Sequence, residues 1–313
     1  MKILLAATLL TLASCGAVAS TAPAALLQLD VTRAGARLLS VGDRGQVLYS
    51  DDQGHHWQPA RTPTQQLLTA VFFVDADHGW AVGHDAQVLA TSDAGAHWAL
   101  QFEDPAREAP LLDIWFRDRD HGLAVGAYGA LLRTDDGGGH WRDIGQALDN
   151  PDQLHLNAIT AVEGGALFIV GEAGGVFRSL DDGATWQTLP APYEGSLFGI
   201  LATGQPDTLL VYGLRGHVYR SADNGEHWQS VPIVDVQDAL TGGSLLENGT
   251  LVLVGNAGTL LHSDDGGRSF ILTRQPDRQA FTSVVPSGDG ALILAGQGGV
   301  KRVSSAVAVQ AQP

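Results

Sequence analysis

Histidines and paired aspartates are the side chains in this sequence whose types could hold a metal. His56, His97, His140 and His227 each stand directly before a tryptophan, and Asp51-Asp52 and Asp135-Asp136 are adjacent carboxylates. Calcium chemistry fails on spacing, because the further oxygen ligands and closing glutamate of an EF-hand loop are absent. The histidines fail as a cluster because each belongs to a separate copy of a repeat, which sets them far apart. A second chemistry, cleavage of a glycosidic bond, needs two carboxylates flanking that bond. Glu172, Glu194 and Asp238, with Tyr193, are the candidates, and nothing in their spacing fixes a pair. Gly-x-Ser-x-Gly, His-Glu-x-x-His and phosphate-loop motifs do not occur. The sequence therefore implies no catalytic residue, no metal and no cofactor.

The elements that carry these residues follow from the repeat. Ser50-x-Asp52-x-Gly54-x-x-Trp57 returns around Asp93 and Trp98, Asp136 and Trp141, Asp181 and Trp186, Asp223 and Trp228, and Asp265 and Phe270. Successive aromatics are 41, 43, 45, 42 and 42 residues apart. Eight residues before each Ser or Thr lies a glycine (Gly42, Gly83, Gly126, Gly171, Gly213 and Gly255), with a seventh at Gly296. Six of the seven begin Gly-x-x-Gly, and Ala86 takes the second position in the other. A fixed period of this length marks a repeat architecture.

Each period reads as four short strands. In the second copy these are the apolar run Leu68–Asp75, Trp80–Gly83, Gln87–Ser92 and Trp98–Phe102, separated by turns. Such a sheet cannot cover both of its faces alone, and radial packing about an axis covers them, so the fold class is all-β, a seven-bladed β-propeller. Seven units of about 42 residues need about 294, and residues 22–313 supply 292. The mature chain is expected to be a single propeller. Its seventh unit, Phe281 to Ser304, lacks the aspartate turn and aromatic, and takes its outer strand from either Ala306–Gln312 or Ala25–Val31.

The chain has 18 Lys and Arg against 34 Asp and Glu, a net charge of −16, which disfavours nucleic acid and anionic lipid as partners. Residues 1–19 read as a signal peptide: Lys2, then the uncharged run Ile3–Ala13, too short to span a bilayer. Cleavage after Ala17-Val18-Ala19 would release a soluble protein. The alternative is Leu12-Ala13-Ser14-Cys15, similar to a lipobox, which would lipidate the chain's one cysteine. Both readings export the protein, to the periplasm or to a lipid anchor in the envelope. Membrane contact is then expected through that anchor alone.

Function is expected at one end of the ring. The turns between second and third strands fall at Asp43-Arg44, His84-Asp85, Ala127-Tyr128, Glu172-Ala173, Leu214-Arg215, Asn256-Ala257 and Gln297-Gly298. Their residues vary while the surrounding glycines repeat, which suits side chains that face a partner. Arg44, His84, Asp85, Tyr128, Glu172, Arg215 and Asn256 are the candidate contacts. The links between blades add Arg61, Glu103, Asp104, Arg107, Glu108, Asp152, His155, Tyr193, Glu194, Asp238, Arg274 and Arg278 on the same face. The longest link, Asp143 to His155, is expected to overhang the mouth.

Ser-x-Asp-x-Gly-x-x-Trp resembles the Asp-box, or bacterial neuraminidase repeat. Its residues are read as structural: the carboxylate accepts backbone N–H groups, the glycine turns, and the aromatic packs between sheets for about 2–3 kcal/mol each. The resemblance also implies a sialidase, which needs a tyrosine nucleophile and an arginine cluster, and no Arg-Ile-Pro-type motif opens the first blade. Across the mature chain the sequence is similar to the photosystem II stability and assembly factor family. The residues that carry this are Val-Gly at 41–42, 82–83, 125–126, 170–171 and 254–255, and the turns Asp75–Trp80 and Asp118–Leu123. That resemblance implies an exported, non-catalytic assembly factor that docks a top-face arginine patch, here Arg44 and Arg215, onto a membrane-protein subunit. The implied partner is such a subunit or an envelope complex, with an exporter as one candidate. The reading from another class is a periplasmic glycoside hydrolase or glycan-binding lectin using the same face.

Overall fold

The computed structural model describes residues 26–304. The leader with Cys15 and its two cleavage readings, and the tail from 305 onward, lie outside the described residues. Those residues form seven antiparallel sheets, each a simple meander: six of four strands and one of three. Blade 1 comprises Gln28–Ala34, Arg37–Gly42, Val47–Ser50 and Gln58–Pro59, and blades 2 to 6 repeat that plan. Blade 7 comprises Phe281–Pro286, Ala291–Gly296 and Gly299–Ser304.

The recurring glycine is explained by one close approach. The chain enters each inner strand with a bulge, and the carbonyl just before it turns onto the second strand. Asp43 N–H bonds Leu27 O at 2.9 Å, and His84 N–H bonds Leu67 O at 3.0 Å. A Cβ on the glycine beside that bond would lie 2.1 to 2.3 Å from the carbonyl oxygen in all seven blades. The second conserved position makes a type I′ turn: Arg44 has φ 55° and Gly45 φ 66°, closed by Gln46 N–H to Asp43 O at 3.1 Å. The corner residues are thus Arg44 and Gly45, one step on from the pair the sequence suggested. Ala86 takes the glycine's place at φ 51°, with its methyl fully buried in the core between blades 2 and 3.

The aspartate turns are built identically. Asp136 Oδ1 accepts the N–H of His140 at 2.8 Å and the Thr134 hydroxyl at 3.0 Å, and the same hydroxyl oxygen accepts Gly138 N–H at 2.8 Å. Oδ2 meets His140 Nδ1 at 2.6 Å. In blades 4 and 6 the hydroxyls of Thr185 and Ser269 replace that histidine, donating at 2.6 Å to Asp181 and Asp265. The four histidines are therefore turn locks, one per blade.

Seven hydrophobic clusters lie between successive blades. Leu39 and Val41 of blade 1 pack with Val71, Leu89 and Trp98 of blade 2; Trp57 of blade 1 packs on Ile293 and Ala295 of blade 7. Trp141, Trp186, Trp228 and Phe270 fill the same place at the next four interfaces. The interface between blades 6 and 7 has no box aromatic, because blade 7 has no box. One expectation for closure is corrected. Gln28 to Val31 form part of the inner strand of blade 1, paired with Val41 and its neighbours, so they cannot also be the outer strand of blade 7. That strand begins as an axial one because the chain's first apolar run has the same bulge and glycine partner as every other inner strand. Ala306–Gln312 lie outside the described residues. Blades 7 and 1 meet instead through packing and through Thr282 Oγ1 donating to Gln28 O at 3.0 Å.

Candidate functional site

The two ends of the ring differ in what builds them. At one end the aspartate turn sits beside the turn joining the first two strands, as Gly137 N–H to Asp120 O at 2.8 Å shows. At the other end the I′ turns touch the inter-blade links: Gln66 Nε2 donates to Asp85 at 2.6 Å, and Asp104 N–H to Asp85 O at 2.9 Å. All seven candidate contact residues lie on this second end. Tyr128 is 61% exposed and stands edge-on to His155 at 5.0 Å, while Glu172 accepts the His155 N–H at 2.9 Å. Asn256 and His84 are exposed.

The structure does not gather these residues into one patch. Arg44 sits on blade 1 and Arg215 on blade 5, with two blades between them one way and three the other. Arg44 lies 3.9 Å from Asp43, and Arg215 has no ion pair among the described residues. Of the remaining suspects for glycosidic chemistry, Glu194 is exposed, and Tyr193 and Asp238 are held in local structure. Tyr193 donates to Ser196 O at 2.7 Å and stacks against Tyr219 and His217; Asp238 pairs with Arg274 at 2.9 Å. The long link folds on itself, with both amide atoms of Asn150 bonded to Leu154.

Several of the scarce arginines are used at the opposite end, as struts between blades. Arg178 reaches Asn224 O at 2.8 Å, Arg220 reaches Gly266 O at 2.9 Å, Arg133 reaches Asp182 O at 3.3 Å, and Arg302 reaches Gln53 O at 3.1 Å. Each crosses to the aspartate turn of the following blade. Three of them, Arg133, Arg178 and Arg220, directly precede the Ser or Thr of their own box, a signal present in the sequence and missed there.

The channel holds charged groups that the sequence reading also missed. Inner strands from all seven blades line a chamber of about 240 Å³ on the axis. Thr69 Oγ1 donates to Leu111 O at 2.7 Å, Asn157 Nδ2 to Leu197 O at 2.8 Å, and Thr241 Oγ1 to Phe281 O at 2.6 Å, each bond crossing to the next blade. Blades 1 and 3 use an aspartate instead. Asp30 accepts Val31 N–H at 2.8 Å and Val71 N–H of blade 2 at 2.9 Å; Asp113 accepts Ile114 N–H and Ile159 N–H of blade 4, both at 2.8 Å.

Both carboxylates face the chamber yet lie deep within the ring, surrounded by protein. Burial pushes Asp113 up to about 7; the Ile159 amide opposes this and the charge of Asp30 adds to it. Burial also raises Asp30, against the bonds from Ser283, Val71 and Val31. The Tyr212 phenol is raised by burial and then by the charges of Asp113 and Asp30. By contrast the box carboxylates sit low. Asp136 is held at about 2 by the His140 side chain and then its N–H, and Asp181 at about 2 by the Thr185 hydroxyl and then its N–H. Among the described residues no three His, Cys, Asp or Glu side chains stand together as a metal cluster, and no helix is long and apolar enough to cross a membrane.

Known proteins bear on this geometry in three ways. A family model described as photosynthesis system II assembly factor YCF48 matches residues 49–109 and 102–246, well over half of the chain. The photosystem II assembly protein Ycf48 of Synechococcus sp. (strain JA-3-3Ab) is 38% identical over 47 residues, a match spanning 14% of its length and 14% of this chain. The solved structure of YCF48 bound to D1 peptide superposes with a TM-score of 0.72 at 20% identity, covering 90% of this chain and 94% of that one. YCF48 from Cyanidioschyzon merolae gives 0.73 at 15% identity, covering 91% and 97%. At these identities the two superpositions show the fold.

Proposed function

The chain belongs to the photosynthesis system II assembly factor family, and from that premise we propose that it is an exported, non-catalytic propeller whose link-bearing face binds a membrane-protein subunit and aids its assembly. The family match over residues 49–246 carries this reading. The related YCF48 bound to D1 peptide supports a peptide segment of such a subunit as the ligand. A closed ring suits the task because stitched blades hold a broad loop-built surface in place without a catalytic centre.

The face offered is mixed in charge. Arg107 pairs with Asp104 and Asp143, Arg274 with Asp238, and Lys301 with Asp277. Arg215, without an ion pair among the described residues, and Arg44, 3.9 Å from Asp43, are offered to a partner as two separate anchors. Exposed Tyr128, Leu214 and Val234 supply apolar contact on the same end. The glycoside-hydrolase reading gains nothing from Asp30 and Asp113, since both oxygens of each already hold backbone amides of two blades.

A photo-crosslinking residue placed at Tyr128, or at Glu226 on the opposite end, tests this in the host's own envelope membranes. The expected result is one membrane-protein adduct from position 128 and none from 226. Arg44→Glu with Arg215→Glu should weaken that adduct while leaving the unfolding midpoint unchanged. Equal adducts from both ends, or no adduct from either, would overturn the face assignment. Labelling with a radioactive fatty acid, in the wild type and in Cys15→Ser, tests the lipid-anchor reading separately.

A further inference from the structure

We propose that the central channel is a cation site, built to hold a hard, oxygen-liganded divalent ion between Asp30, Asp113 and Tyr212. The hydrogen-bonding groups left over in the lining set the class of ligand. Thr69, Thr241 and Thr282 each donate their hydroxyl proton to a carbonyl of the next blade, and Asn157 does the same with its amide. What these side chains turn toward the axis is therefore oxygen lone pairs. Asp30 and Asp113 add two carboxylates, and the lining includes no lysine, arginine or histidine. A wall of acceptors with two carboxyl groups and no basic side chain is matched by a cation.

Tyr212 is the independent observation. It is 4% exposed, lines the chamber, and its hydroxyl has no hydrogen-bond partner among the described residues. The ring is buried between blades 5 and 6 while the hydroxyl opens onto the chamber, free to meet a ligand there. The inner strands make room for it. A Cβ at Gly199 would lie 2.3 Å from its oxygen and one at Gly243 3.0 Å away, so glycine at both positions keeps the hydroxyl's path to the axis open. Blade 5 is also where the inner strand contributes Phe198 and Gly199 rather than a threonine or aspartate latch.

The ion would bind the channel-facing lone pairs of Asp30 and Asp113, with the Tyr212 oxygen and Asn157 Oδ1 as neutral ligands. Water completes its shell, for which about 240 Å³ is ample. Two carboxylates with neutral oxygens favour Ca2+ over Mg2+, which demands a tighter octahedron.

The test is calorimetric titration of Ca2+ into the chelator-treated, purified mature protein at pH 8, with the unfolding midpoint followed in parallel. One saturable site and a midpoint that rises with Ca2+ are expected. Asp113→Asn should weaken binding at least about tenfold, as loss of one of two charged ligands. Tyr212→Phe keeps the ring in its glycine cradle, so its midpoint in chelator should match wild type while its Ca2+ affinity falls several-fold. Glu163→Gln, exposed at the opposite end of the ring, should change nothing. Titrations with Mg2+ and K+ rank the ions. Absence of any saturable heat at millimolar Ca2+ would overturn the proposal, as would binding that Asp113→Asn and Tyr212→Phe both leave intact.

Discussion

Replacing Asp113 with asparagine should change how the stability of the ring depends on pH, in a direction and size that follow from the channel. An aspartate of ordinary pKa 3.8 that titrates at about 7 in the fold holds its proton more tightly folded than unfolded. Between those two values the native state binds more protons than the unfolded one, so stability falls as pH rises through the window. Below about 4 and above about 7 this group contributes no slope. A shift of about three units is about 4 kcal/mol at 1.36 kcal/mol per unit, a ceiling that water in the channel lowers. Asparagine removes the titration at a fixed cost, because its Nδ2 must face a backbone N–H that the carboxylate satisfied. It also removes a charge that helps raise the Tyr212 phenol.

The assay is urea unfolding of both proteins in chelator from pH 5 to pH 8.5, taking the difference in free energy at each step. Everything the two proteins share cancels. Wild type should lose about 2–3 kcal/mol relative to Asp113→Asn between pH 5 and 7, and the difference should then level off. A difference that stays flat within about 0.5 kcal/mol would refute the reasoning and mean that the channel is wet enough to keep Asp113 an ordinary carboxylate. A slope of opposite sign would mean that its backbone bonds outweigh burial.

Other perturbations follow from features repeated around the ring. Trp98→Ala should cost about 3–5 kcal/mol in urea unfolding, because a side chain 7% exposed, set edge-on to Phe73 at 6.0 Å, leaves a cavity between blades 1 and 2. Trp98→Phe should cost far less, and equal losses would show that the indole bond to Gly95 O, not packing, decides. Gly83→Ala should abolish soluble expression or cost several kcal/mol, since its Cβ would stand 2.1 Å from Leu67 O; a near-neutral result would mean the bulge can relax. Asp136 and Asp181 titrate below their unfolded value, so their stabilisation is complete above pH 3.8 and fades as pH falls toward 2. Midpoints recorded across pH 5 to 2 should therefore drop less in Asp136→Asn than in wild type.

Local turns were legible because each asks for specific residue types at fixed offsets. The box needs a short hydroxyl, a carboxylate and a glycine, and the I′ corner needs a residue that accepts positive φ. Blade 7 was legible to Ser304 for the same reason, by its glycine alone. The channel was not legible, because Asp30 and Asp113 look like the polar half of an ordinary alternating strand. Only strand pairing exposes them: two residues after the partner of each glycine, the inner strands read Asp, Ala, Asp, Ala, Gly, Gly, Ser around the ring, a register that hairpins differing in length by a residue hide from the sequence. Two acids in a row of small residues are out of place for a packed axis. Nor could the sequence separate arginines that strut blades from those free to meet a partner. That distinction depends on which carbonyl of the following blade lies within reach.

The seam between the last blade and the first sets the order in which this molecule can come together. Thr282 and Gln28 are 254 residues apart in the chain, whereas Thr69 reaches only 42 residues ahead and Asn157 only 40. Six interfaces can thus grow one after another as an open arc, each by a short loop closure. The seventh must wait until the final strands have arrived, and joins ends that carry the largest closure entropy. Until then Val31 and Leu38 on one terminal blade, and Ile293 and Ala295 on the other, stand uncovered. If the chain is exported unfolded, as proposed above, that moment comes after translocation, with no cytosolic chaperone at hand. The half-ring is the form most exposed to proteases, and its lifetime would govern how much of the finished ring accumulates.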